Sequence, residues 1–330
     1  MKRFNRILIG ILPILLSGCY SASFIEFDGL QPAEVVVPAT VHSLTVVARF
    51  DLDSTARITA KELNRLSGYN RDSAMSKQMV LGCSDALVES PRFELFYPVL
   101  RRDLIGDFTD PSTKIPWDKI AALAGDPPKD GVLLLEKAVV EDTLTHAVLG
   151  GWLNSYQYTV FTKSYWRLYR LNDFQSNLFT YSDTITFDIE APLEFISDPG
   201  KRLDMIREAM YESGTRTARR LAPWWTSFDR YYFPLSSFEG NKSQVMLQNG
   251  QWQEAAEYWR PYTESSKKRI AAKACFNMAL TCEMANNIPT ALEWIRQSEI
   301  LGMNLYYISV YRTALNRRKA ETVKLDEQMK

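Results

Sequence analysis

The pattern that most limits this chain is a long stretch of period-two alternation in its middle. From Tyr156 to Leu171, the residues Tyr158, Val160, Thr162, Ser164, Trp166 and Leu168 fall on one face, and Phe161, Tyr165 and Tyr169 on the other. The alternation resumes from Leu178 to Ile189, after Asn172-Asp173-Phe174-Gln175, a turn-forming run. Two long strands joined by so short a turn predict an antiparallel hairpin. Both of its faces carry apolar side chains, so one is expected to pack on helices and the other to be half covered.

The segments around the hairpin supply the rest of a mixed sheet. Glu34-Val35-Val36-Val37-Pro38 has the composition of a short edge strand ended by proline. Leu44 to Phe50 and Gly131 to Val140 are β-branched, near-continuous apolar runs of the kind found in buried strands, and Phe93 to Val99 predicts another. Asp72 to Val88 has helical spacing through Met75, Met79, Cys83, Ala86 and Leu87, and Pro91 ends it. Pro116 opens a short helix at the first turn, where a missing N–H costs nothing. Asp198-Pro199 starts a longer one through Leu221, with Ile206, Ala209, Met210, Ser213, Thr217 and Leu221 on one stripe. Phe228 to Phe233 reads as a closing strand. The predicted order is β-α-β-α-β-β-β-α-β, so the fold class is α+β: a mixed-sheet α/β domain over 33–234, followed by an all-α tail over 235–330.

This order of elements resembles the small α/β domain of the TolB N-terminal family, of the curli-export lipoproteins and of the lipoprotein activators of penicillin-binding proteins. The resemblance covers residues 33 to 233 and implies a fold more than a function.

From Ser236 the composition shifts to Ala-, Gln- and Trp-rich helix. Gly250-Gln251-Trp252-Gln253-Glu254-Ala255-Ala256-Glu257-Tyr258-Trp259 can be set over Asn286-Asn287-Ile288-Pro289-Thr290-Ala291-Leu292-Glu293-Trp294-Ile295. Gly250 and Asn286 suit a left-handed turn between paired helices. Ala255 and Ala291 are small where helices approach, and Trp259 and Ile295 fill the next groove. This tail resembles a tetratricopeptide repeat. The resemblance implies that the first helix of each unit lines a groove, which places Gln244 and Gln248 of the first unit there. From the second unit it places Lys273, Phe276, Leu280, Glu283 and Met284. Either that groove is open to a partner, or the same face packs on the α/β domain.

The N-terminus carries an address. Lys2, Arg3 and Arg6 precede an apolar run from Ile7 to Leu16, shorter than the ~20 residues of a membrane span but suited to a secretory signal over 1–18. Leu16-Ser17-Gly18-Cys19 resembles a bacterial lipobox. The resemblance implies cleavage before Cys19 and acylation of its thiol and new amine (diacylglyceryl and palmitate), with residues 19–32 as a leader. Two or more acyl chains hold a protein stably at a membrane. Tyr20 to Ser23 carry no Asp at the second position, so the expected location is the outer membrane of the cell envelope, facing the periplasm. The whole chain is similar to a group of Bacteroidota-type lipoproteins joining such a domain to a helical-repeat tail.

Removing Lys2, Arg3 and Arg6 leaves acidic residues in excess by three, so no basic face for nucleic acid is expected. Cys83, Cys275 and Cys282 are odd in number and read as small core residues rather than a disulfide framework. His42 and His146 flank strands without ligand-spaced neighbours. Asp51, Asp53, Thr55 and Glu62 have the spacing of a calcium loop, but Ala56 stands where that turn needs glycine. Glu136 and Asp142 are expected on solvent-facing strand positions. No nucleophile elbow, zinc-protease motif or phosphate loop occurs in the sequence. The reading is a non-catalytic, lipid-anchored module that binds a protein of the envelope, with no enzyme activity, cofactor or metal expected. The alternatives are a small-ligand or glycan binder using Trp224, Trp225, Tyr231 and Tyr232, or an enzyme whose site no motif reveals.

Overall fold

The computed structural model describes residues 22–49, 68–95, 114–149, 153–190, 194–195, 198–235 and 237–330. Cys19, the signal segment and the Asp51–Glu62 run lie outside the described residues. By internal contacts the chain divides into two units, Met1–Phe27 with Ser227–Lys319, and Asp28–Thr226 with Ala320–Lys330.

The α/β unit is built on a five-stranded mixed sheet. Its strands are β2 (Ser43–Ala48), β3 (Glu94–Leu95), β4 (Gly131–Leu149), β5 (Leu153–Arg170) and β6 (Gln175–Asp188), in the order β3-β2-β4-β5-β6. The buried runs β2 and β4 pair in parallel, with β3 parallel to β2 at the edge. The alternating segments pair antiparallel, Tyr158 opposite Phe187 and Trp166 opposite Phe179, as the hairpin pattern predicted. One face of the sheet receives the long helices α1 (Gly68–Val88) and α3 (Pro199–Leu221). The other is partly covered by the short helix α2 (Trp117–Leu123), through Ile120 and Leu123 against Val47, Val132 and Leu134.

Local chemistry explains the helix starts. Asp198 caps α3 by accepting a hydrogen bond from the Gly200 N–H at 2.8 Å, with Pro199 in the first turn. The helices α1 and α3 cross with almost no side chain between them. A Cβ on Gly82 would lie 2.0 Å from the Tyr211 carbonyl oxygen, and one on Gly214 would lie 2.0 Å from that of Met79. Glycine is required here for close approach of two backbones.

Three expectations are corrected. Glu34–Pro38 is not a strand; it runs as irregular backbone, its Val35 N–H donating to the Arg220 carbonyl at 2.9 Å. The leader contains a strand, β1 (Ser23–Gln31). The closing strand β7 (Trp224–Tyr232) pairs with β1 in a separate two-stranded sheet and does not close the mixed sheet. The backbone N–H and C=O groups of β7 find their partners on β1, a strand of the same nine residues. Of Phe93–Val99, only Glu94–Leu95 is described as strand.

The C-terminal helices are α4 (Ser237–Gln248), α5 (Trp252–Trp259), α6 (Lys268–Met284), α7 (Ile288–Ile300) and α8 (Leu305–Gln328), with a 3-10 turn at Arg260–Glu264. Gly250 (φ 67°) and Asn286 (φ 55°) take the left-handed conformation between paired helices, as their spacing predicted. Ala255, Trp259, Ala291 and Ile295 are completely buried. The chain thus combines a mixed-sheet α/β fold with an all-helical C-terminal region.

Candidate functional site

The helical unit offers the surface that the repeat pattern singled out, and the structure redistributes its residues. Gln244 and Gln248 on α4 are exposed, and Lys273 and Met284 on α6 are half-buried. Phe276, Leu280 and Glu283, also on α6, are buried at 0%, 0% and 3% exposure. These three do not line an open groove. Phe276 and Glu283 are covered by the chain's own segment at the end of β7, and Leu280 packs in a cluster with Leu247, Ala255 and Trp259 of α4 and α5.

Each contact of this segment has a specific chemistry. The Asn277 side chain sits in the core and engages Phe233 twice: the Phe233 N–H donates to its Oδ1 at 2.8 Å, and its Nδ2 donates to the Phe233 carbonyl at 2.8 Å. A primary amide matches the donor–acceptor pair of one extended residue, so Asn277 acts as a one-residue strand partner. Lys273 Nζ donates to the next carbonyl, that of Pro234, at 3.3 Å. The Phe233 ring meets Phe276 edge-on at 5.0 Å and Tyr307 at 5.0 Å. One strand turn earlier, Arg230 forks onto Glu283, at 3.0 and 2.8 Å. Tyr311 of α8 donates to the same carboxylate at 2.8 Å. Burial and the Glu283 charge hold the Tyr311 hydroxyl well above its ordinary pKa, so it stays a donor. Sequence periodicity could not find this, because Arg230, Phe233 and Pro234 carry no helical pattern and lie far away in the chain.

A cavity of about 550 Å³ opens elsewhere on the helical unit. Its walls are Trp252 and Ala256 of α5, Met278, Cys282 and Met284 of α6, and Asn287 at the cap of α7, with Arg260 at the rim. Of the residues chosen from sequence, Met284 alone lines it. The Cys282 thiol, half-buried here, is held up by burial, as is that of Cys275, pushed up to about 11. All three described cysteines are free.

In the α/β unit, Glu136 is a correction. It is buried at 1% exposure, not solvent-facing, and accepts from Arg49 Nη1 and, at 2.7 Å, from Arg167 Nε. Alternation along β4 carries Glu136 to the same covered side as Val132 and Leu134, where Arg49 and Arg167 pair with its charge; the register with β5 shifts between Leu135 and Lys137. Asp142, half-buried, accepts from Tyr158 and from Arg202, each at 2.7 Å. His42 and His146 are exposed, and His146 stacks on Tyr156 at 4.4 Å. Of the aromatics named for ligand binding, Trp225 is exposed, Trp224 and Tyr231 are half-buried, and Tyr232 is buried. Among the described residues no three His, Cys, Asp or Glu side chains gather as a metal site, and no helix is long and apolar enough to cross a membrane.

Two family models match the chain. Domain of unknown function (DUF8603) matches residues 41–233, more than half of the chain, and domain of unknown function (DUF6340) matches residues 241–321. No curated protein matches it.

Proposed function

The chain belongs to the DUF8603 family, and on that footing we propose that it is a lipid-anchored, non-catalytic protein-interaction module of the cell envelope. Cys19 is its lipid-bearing residue, and the outer membrane's periplasmic face is its location. The observation that carries the reading is the way α6 grips Arg230, Phe233 and Pro234. Side-chain amide to backbone, carboxylate to guanidinium and ring to ring are the means by which helical scaffolds take up extended polypeptide. The C-terminal helices act as a tetratricopeptide-type scaffold. That side of α6 is filled within the chain, so the partner's place is the cavity walled by Trp252, Met278, Cys282 and Met284. Trp, Met and Arg are side chains that concentrate binding energy or adapt to a partner.

The test has two arms. Cys19→Ser is expected to move the protein from the membrane to the soluble fraction; a variant that still pellets and resists salt would show another tether. A photocrosslinking side chain at Met284 is expected to capture one defined envelope protein in intact cells. That capture should be lost in Glu254→Arg, a change at an exposed lining residue, at unchanged melting temperature. Equal capture from an exposed position such as Glu293 would overturn the cavity as the docking place.

A further inference from the structure

The hairpin turn between β5 and β6 ends on Phe174, a bulky residue in the left-handed conformation at φ 53°. Glycine or asparagine is the ordinary occupant there, and a large side chain at positive φ is a strained exception. The same side chain is 67% exposed, so the core does not hold it in place. The turn is instead pinned by polar bonds. Asn172 Nδ2 donates to the Thr40 carbonyl at 2.8 Å, and Arg170 pairs with Asp173 at 2.8 Å and donates to Gln175 Oε1. Strain kept at an exposed ring, against a rigid frame, points to use rather than stability.

Phe174 lines a cavity of about 500 Å³. Trp117, at the start of α2, lies edge-to-face with it at 5.4 Å and with Tyr169 at 5.5 Å. Lys114, Ile115, Pro116, Gln175 and Ser176 complete the walls. The lining therefore joins three aromatic rings to an ammonium, a carboxamide and a hydroxyl. Apolar ring faces beside a few convergent polar groups are the general form of a small-molecule site. They suit a ligand with an apolar C–H face and a rim of hydroxyls. We propose that this cavity binds a carbohydrate, with Phe174 and Trp117 against the sugar ring and Lys114, Gln175 and Ser176 bonding its hydroxyls. The proposal stands apart from the protein-docking cavity of the helical unit and does not rest on it.

The experiment titrates the purified chain with short chito-, gluco- and galacturono-oligosaccharides, followed by calorimetry and by the indole resonances of the tryptophans. At least one series is expected to bind and to shift the Trp117 indole signal. Phe174→Gly is expected to weaken that binding at least tenfold while the melting temperature holds or rises, since glycine relieves the backbone strain. Ser176→Ala, which leaves the turn untouched, is expected to weaken it by a smaller factor. The proposal is overturned if none of the three series binds, or if Phe174→Gly binds as the parent does.

Discussion

Asn277 and Phe233 are joined by two hydrogen bonds of 2.8 Å, one in each direction, between a side-chain amide and a single backbone residue. The same device recurs in the α/β unit, where Gln328 accepts from the Ala33 N–H at 2.9 Å and donates to the Ala33 carbonyl at 3.0 Å. Both clamps are buried.

Asn277→Ala would remove both buried hydrogen bonds to the Phe233 backbone. Removing one partner of a buried hydrogen bond costs about 1–3 kcal/mol. The expected outcome is a fall of several degrees in the melting temperature of the helical unit, read by circular dichroism. Asn277→Asp should also destabilise, since it keeps the acceptor and loses the donor. Unchanged melting in both would show that the clamp contributes nothing net.

Breaking the Arg230–Glu283 pair from one side is expected to be severe. Glu283 has a side chain at 0% exposure, and removing one partner of a buried pair costs about 3–5 kcal/mol. Glu283→Gln should destabilise by that order, and Arg230→Met with Glu283→Leu should recover part of it. A double-mutant cycle in urea measures the coupling. Coupling near zero would mean the pair is solvated in solution.

Gly82→Ala or Gly214→Ala should loosen the crossing of α1 and α3, because each new Cβ would meet a carbonyl oxygen at 2.0 Å. The helices must separate, and repacking of this kind costs about 1–3 kcal/mol or more. Thermal unfolding checks this; unchanged melting in both variants would mean that the helices separate at no cost.

Asp130 ties the start of β2 to the turn before β4, accepting from the N–H groups of His42 and Ser43 at 2.9 Å each and from the Ser43 hydroxyl at 3.0 Å. Desolvation raises its pKa, but these hydrogen bonds together outweigh it, and the carboxyl sits below its ordinary value. A depressed folded pKa contributes stability above the unfolded pKa and loses it as pH falls through the folded one. Asp130→Asn should therefore narrow the stability difference between neutral and acid pH, read as urea midpoints across the carboxylate range. An identical pH profile in the variant would contradict the assignment.

What the sequence determined by itself was local. Period two set the hairpin and centred its turn on Asn172 to Gln175, because side-chain direction along a strand is a property of the strand alone. Asp198, Pro199, Gly250 and Asn286 marked helix ends through backbone chemistry that needs no distant partner. Tertiary structure decided which local pieces meet. It gave β7 to β1, a strand hidden in the leader. It buried Glu136 by bringing Arg49 of another segment and Arg167 of β5 to its carboxylate. It also filled, with Phe233 and Arg230 of the same chain, the side of α6 that the repeat pattern left either open or packed on another part of the chain. Each of these outcomes is a choice among distant partners of similar chemistry. Such a choice is settled by the burial and hydrogen bonding of the assembled whole, which no short window of residues contains.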